Sequence, residues 1–101
     1  MKLKTGVRLS KLSPQMVLAV LVVREAYGAN ECTITSANDS IHSADSWHYH
    51  GSALDFRTHD YKGDKRALVR RIQKDLGNDF DVLLEAIGTP NEHIHVEYDP
   101  D

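Results

Sequence analysis

The six histidines of this 101-residue chain fall in two short stretches. His42, His48, His50 and His59 lie in the first, and His93 and His95 in the second. Histidine gathered beside Asp and Glu is a metal-binding signal, and the spacing sharpens it. Residues 53–58 alternate, with Leu54 and Phe56 on one face and Ala53, Asp55 and Arg57 on the other. Residues 93–98 alternate as well: Ile94, Val96 and Tyr98 share one face, and His93, His95 and Glu97 share the other. If the two segments are neighbouring strands, Asp55 and His95 project together from one side of a sheet. His48 arrives from the loop just before, with Gly51 between it and the strand. Two imidazoles and one carboxylate, with a fourth position open, are the ligand set of a catalytic zinc. Softer sites use cysteine, and calcium or magnesium takes more oxygens.

The elements that must position these groups can be read in outline. Ser13 and Pro14 open a helix over 13–28 and Gly28 closes it; its apolar residues run nearly all round, which predicts a buried helix. Cys32 to Ser36 reads as a short strand, and 37–52 as a polar loop long enough to be functional. Asp64 caps a second helix over 64–76, with Leu68, Ile72 and Leu76 as its apolar stripe and Gly77 as its stop. Strands follow at 80–86 and 93–98, joined through the turn residues Gly88, Thr89, Pro90 and Asn91. Residues 1–12 read as a basic tail or an edge strand. Strands and helices outside a strict alternation predict an α+β domain spanning 1–101, with a small, mainly antiparallel sheet and two helices.

Composition narrows the function classes. Apolar residues make up 41% and charged residues 27%, and the formal net charge is -3. That balance argues against nucleic-acid and anionic-membrane partners. The basic cluster Lys65, Arg66, Arg70, Arg71 and Lys74 reads as a solvated helix face, since no aromatics interleave with it. Cys32 is the only cysteine, so no internal disulfide forms, and it reads as a small residue at a strand start. The apolar run 16–23 is too short to span a bilayer, and Arg24-Glu25 follow it where an export signal has small neutral residues. No membrane segment and no signal peptide are therefore expected.

Two stretches carry a recognisable pattern. The first contains Ser46, His48, Gly51, Ala53 and Asp55, and the second Glu92 and His95. Together they resemble the zinc peptidases that include D-alanyl-D-alanine carboxypeptidases and the L-alanyl-D-glutamate endopeptidases of phage lysins, a family sharing its fold with the hedgehog signalling domain. The family pattern is S-x-H-x-x-G-x-A-x-D, followed downstream by an acidic residue, two positions and His. The resemblance covers roughly 33–58 and 80–99, and is to the short phage-type members in particular. It implies a hedgehog/DD-peptidase-like fold and a monomer. It implies zinc held by His48, Asp55 and His95, and Glu92 as general base and then acid. Ser46, Arg57 and His93 become the candidate substrate-binding residues. Larger members carry an arginine in the loop before the first ligand. Here 37–40 reads Ala-Asn-Asp-Ser, and Arg57 is the candidate substitute.

Rival assignments exist within the same segments. His50 competes with His48 as ligand, in a His-x-His spacing that is similar to cupin sites but lacks their glycine pattern and strand number. Glu85 competes with Glu92 as base and is expected behind the ligands. Trp47 and Tyr49 are expected to pack at the core or rim, and His42 and His59 to be loop residues. The expected function is hydrolysis of an amide bond in peptidoglycan stem peptides, by a protein of the cytoplasm or of a phage that reaches the wall through lysis machinery or a virion. The alternative is a non-catalytic virion or binding protein that keeps zinc as a structural clip.

Overall fold

The computed structural model describes residues 1–7, 9, 12–38 and 53–100. In chain order the elements are β1 (Lys2–Leu3), α1 (Pro14–Tyr27), β2 (Thr33–Asn38), β3 (Ala53–Arg57), α2 (Lys65–Leu76), β4 (Phe80–Glu85) and β5 (His93–Tyr98). The five strands form one sheet in the order β1-β2-β3-β5-β4. The sheet is mixed: β1 runs parallel to β2, while β2–β3, β3–β5 and β5–β4 are antiparallel. The chain is therefore a small α+β domain with two helices. The parallel edge arises because β1 reaches its partner across α1, by a crossover rather than a hairpin.

Both helices lie on one side of the sheet and close over one core. That core joins Met16, Ala19, Val23 and Tyr27 of α1 and Leu68 and Ile72 of α2 to Ile34, Leu54, Phe56, Val82, Ile94 and Val96 of the sheet. Leu54 and Phe56 of β3 and Ile94 and Val96 of β5 turn into this core, so Asp55, Arg57, His93, His95 and Glu97 take the opposite face.

Local chemistry sets the helix ends. The Ser13 hydroxyl accepts from the Met16 amide at 3.2 Å, and the Asp64 carboxylate accepts from Arg66 and Ala67 at 2.9 and 3.2 Å. The α1 reading needs one correction. Val17, Leu18 and Leu21 are 46%, 51% and 56% exposed, so α1 is not buried all round. The sheet and α2 pack against its inner side, Tyr61 meets Tyr27 edge-on at 5.4 Å, and those three side chains stay open to solvent. Cys32 is buried, and burial pushes its thiol up to about 12, which leaves it inert. Among the described residues, no helix is long and apolar enough to cross a membrane.

Two polar ties fix the sheet against the helices. The Tyr27 hydroxyl donates to the Arg57 carbonyl at 2.7 Å, and burial raises its pKa so that it stays a donor. Gln73 donates to the carbonyls of Gly77 and Phe80 at 2.9 and 2.8 Å and accepts from the Val82 amide at 3.2 Å. Gln73→Ala strips three backbone groups of their partner and is expected to cost about 2 kcal/mol. Urea unfolding would read this as a lower midpoint at unchanged slope.

Candidate functional site

Asp55 and His95 face each other across the β3–β5 ladder as direct register partners. Asp55 Oδ1 and His95 Nδ1 come within 2.8 Å. The second ring nitrogen of His95, Nε2, lies 3.1 Å from Glu97 Oε1. Both nitrogens thus point at carboxylate oxygens, which only accept. A neutral imidazole donating from Nε2 to Glu97 would leave a lone pair aimed at a second acceptor, Asp55. A proton or a cation must occupy the gap. Burial lowers the affinity of His95 for a proton, but hydrogen bonds to Asp55 and Glu97 and the nearby negative charges outweigh it, so its pKa is raised.

The pair fits a zinc ion. At metal–ligand distances of about 2.0–2.1 Å and a tetrahedral angle, ligating atoms sit about 3.3 Å apart, so the gap need open only slightly. Glu97 behind the imidazole is the carboxylate–histidine arrangement that orients metal-bound rings. Glu97→Gln is expected to weaken zinc binding about tenfold to a hundredfold, read by competition with a chromophoric chelator. Unchanged affinity would mean that His95 keeps its orientation without Glu97.

The structure adds a residue that the sequence had placed behind the ligands. Ligand atoms of Glu85, Asp55 and His95 all lie within 4.8 Å of one another. Glu85 Oε1 is 4.0 Å from His95 Nδ1 and 3.1 Å from His93 Nε2. Period two along β4 does place Asp81, Leu83 and Glu85 on one face. Its relevance follows from β4 lying beside β5, with Leu83 opposite His95 and Glu85 opposite His93. A second acidic group, Asp81, Glu97 and Asp99, also converges, but it offers no imidazole.

His93 supports the site from the next rung. Its Nδ1 donates to the Asn91 carbonyl at 2.8 Å and its Nε2 to Glu85 at 3.1 Å, with Asp55 Oδ1 at 3.8 Å. Both partners are acceptors, which favours the doubly protonated ring. Burial opposes that charge, and the hydrogen bonds to Asn91 and Glu85 prevail, raising its pKa.

Glu92 sits differently from a base beside the ligands. It turns its carboxylate toward α2, where Oε1 accepts from the Lys65 ammonium at 2.8 Å and the Thr58 hydroxyl at 2.5 Å, and Oε2 from the Gly88 amide at 3.0 Å. Those donors, Lys65 first, hold its pKa down at about 2. None of its partners is Asp55, Glu85 or His95. Glu92 also lines a cleft of about 170 Å³ together with Arg57 and His93, whose other walls are Lys4, Thr35, Pro90 and Asn91. Two of the three expected substrate-binding residues therefore share one cavity with the expected base.

Ser46, His48 and the rival ligand His50 lie outside the described residues, as do His42, Trp47 and Tyr49. His59 lies 3.3 Å from Asp60, away from this cluster. No family model, no curated protein and no solved structure matches this chain.

Proposed function

We propose that this chain is a zinc-dependent peptidase that hydrolyses an amide bond in peptidoglycan stem peptides, on a hedgehog/DD-peptidase-like fold. The supporting observation is the convergence of Asp55 Oδ1 and His95 Nδ1 at 2.8 Å on the face of the sheet opposite α1 and α2, with Glu97 behind the imidazole and a polar cleft alongside. Asp55 and His95 hold the ion, His48 is the third ligand, and Glu85 is close enough to join them. Bound zinc acidifies its water toward about pH 7 and polarises a carbonyl.

The chain's own groups do the rest. Glu92 takes a proton from the attacking water and returns it to the leaving amine. The water oxygen joins the carbonyl carbon, the C–N bond breaks, and the amine departs with the proton. Arg57 and His93 supply cationic donors where oxyanion charge develops. Ser46 completes the substrate contacts. A base works best with a pKa near the working pH, so Glu92 must give up its bond to Lys65 when substrate enters. The reading takes the protein as a monomer that meets the wall through lysis machinery or a virion.

One observation favours a second reading. A Glu92 already satisfied by three donors resembles a structural anion, and the chain would then be a zinc-clipped binding or virion protein without activity. Incubating purified peptidoglycan with the protein separates the two. The peptidase reading expects fragments of altered mass that vanish with chelator and return with zinc. Intact peptidoglycan beside a zinc-loaded protein supports the clip.

A further inference from the structure

Strand β4 is an outer strand of the sheet and pairs on one side only, with β5. The Asp99 amide donates to the Asp79 carbonyl at 2.7 Å, one step before the Phe80–Tyr98 rung. Backbone groups alternate in direction along an antiparallel pair, so the odd-numbered residues of β4 bond to β5 and the even-numbered ones turn theirs outward. Gln73 agrees with that alternation, since it takes the Phe80 carbonyl and the Val82 amide. Its side chain blunts the first half of the edge. The Val82 carbonyl and the Leu84 amide and carbonyl come next, and they have no partner among the described residues. Such a row is a template for another strand.

The open half of the edge borders a groove of about 290 Å³. Arg66, Val69 and Arg70 of α2 form one wall, and Leu84 and Ile87 belong to the other. Neither arginine has an ion-pair partner among the described residues, whereas Lys65 is taken by Glu92 and Arg71 by Asp75. Helix α2 runs antiparallel to β4, with Gln73 at Phe80 and Arg66 and Arg70 at the Leu84 end. Four residues of helix rise about 6 Å, and alternate side chains of an extended chain lie about 6.8 Å apart. Two carboxylates at alternate positions of an added strand therefore match the two arginines. A second copy of this chain fits poorly. Two β4 edges paired about Leu83 would set Asp81 against Glu85 and bring two basic helix faces together.

We propose that the outer edge of β4 and the α2 groove dock an extended acidic segment of another protein, added antiparallel to β4 with glutamates opposite Val82 and Leu84. The glutamate amides donate to the Val82 and Leu84 carbonyls, and the Leu84 amide donates back, which sets the register. The carboxylates meet Arg66 and Arg70 while their stems cover Val69 and Ile87. The apolar residue between them lies beside Leu83, which is exposed on the other face. This surface does not depend on the peptidase reading.

The test titrates the full chain into the fluorescein-labelled peptide acetyl-Thr-Val-Glu-Leu-Glu-Val-Thr-amide and follows anisotropy, with amide hydrogen exchange read at Leu84. Binding should slow exchange at Leu84. N-methylation of both glutamates should weaken it about tenfold or more. Arg66→Gln and Arg70→Gln should each weaken it about twofold to fivefold. Arg66→Glu combined with Arg70→Glu should prefer a twin peptide carrying lysines in place of the glutamates, and that gain of binding shows the variant is folded. Equal binding of the N-methylated peptide would reduce the site to a charged patch and overturn the added strand. Binding indifferent to the charge swap, or none at millimolar peptide, would overturn the docking surface. A dimer that protects the Leu84 amide without peptide would overturn it in favour of a second copy.

Discussion

Replacing Asp55 with alanine should erase the zinc-dependent part of this protein's stability. Asp55 supplies the oxygen that approaches His95 Nδ1 at 2.8 Å. Any ligand that binds only the folded chain stabilises it by mass action, about 4 kcal/mol at a thousandfold excess over its dissociation constant. For a domain of this size each kcal/mol moves the melting temperature by about 4 °C or more. Wild type should therefore melt well over ten degrees higher with zinc than with chelator, and Asp55→Ala should melt at the same temperature in both. Hydrolysis should fall to background with the ion. An Asp55→Ala variant that zinc still stabilises as strongly as wild type would remove Asp55 from the ligand set.

Glu92→Gln should separate the chemistry of the site from its acid stability. As the base, Glu92 accounts for about a hundredfold to ten-thousandfold in rate, and zinc binding should survive its loss because none of its contacts is a ligand. The same side chain makes a pH prediction. Its carboxyl sits at about 2 in the folded chain, below the ordinary 4.5. A depressed pKa stabilises the fold fully above the unfolded value, and that stability drains away as pH falls from about 4.5 toward 2. The Lys65 ammonium, the Thr58 hydroxyl and the Gly88 amide are the donors that stabilise the ionised form. Denaturant titrations of chelated protein at pH 7 and pH 3 should show wild type losing more stability than Glu92→Gln. Parallel losses would deny the ion pair with Lys65 its role, and full hydrolysis by the variant would dismiss Glu92 as base.

The residues differ in how openly they announced these roles. Helix α2 was legible because local signals agree: a capping Asp64, apolar residues at helical spacing, and a glycine stop at Gly77. The pairing of Asp55 with His95 was legible because each sits on a strand whose alternate residues are strongly apolar, which fixes the face it takes. Other features depend on what the chain does far away in sequence. The exposed side of α1 follows from its place in an outer layer, with the sheet and α2 on its inner side, which an all-round apolar pattern does not reveal. Edge strand β1 is two residues long, too short for any period, and its parallel partner lies beyond a whole helix. Glu85 comes within 4.8 Å of Asp55 and His95 because β4 is β5's outer neighbour, a matter of strand order. The orientation of Glu92 was not legible, for a plainer reason. A count of three residues back from a ligand gives distance along the chain, whereas the direction of its carboxylate was decided by Thr58 and Lys65.

The central claim is that one zinc ion sits between Asp55 and His95. Diffraction data collected on either side of the zinc absorption edge, from crystals of the zinc-loaded protein, test it most directly. The account predicts one strong anomalous peak about 2.0–2.2 Å from both Asp55 Oδ1 and His95 Nδ1. A peak at Asp81, Glu97 and Asp99 instead, or none at all, would contradict it.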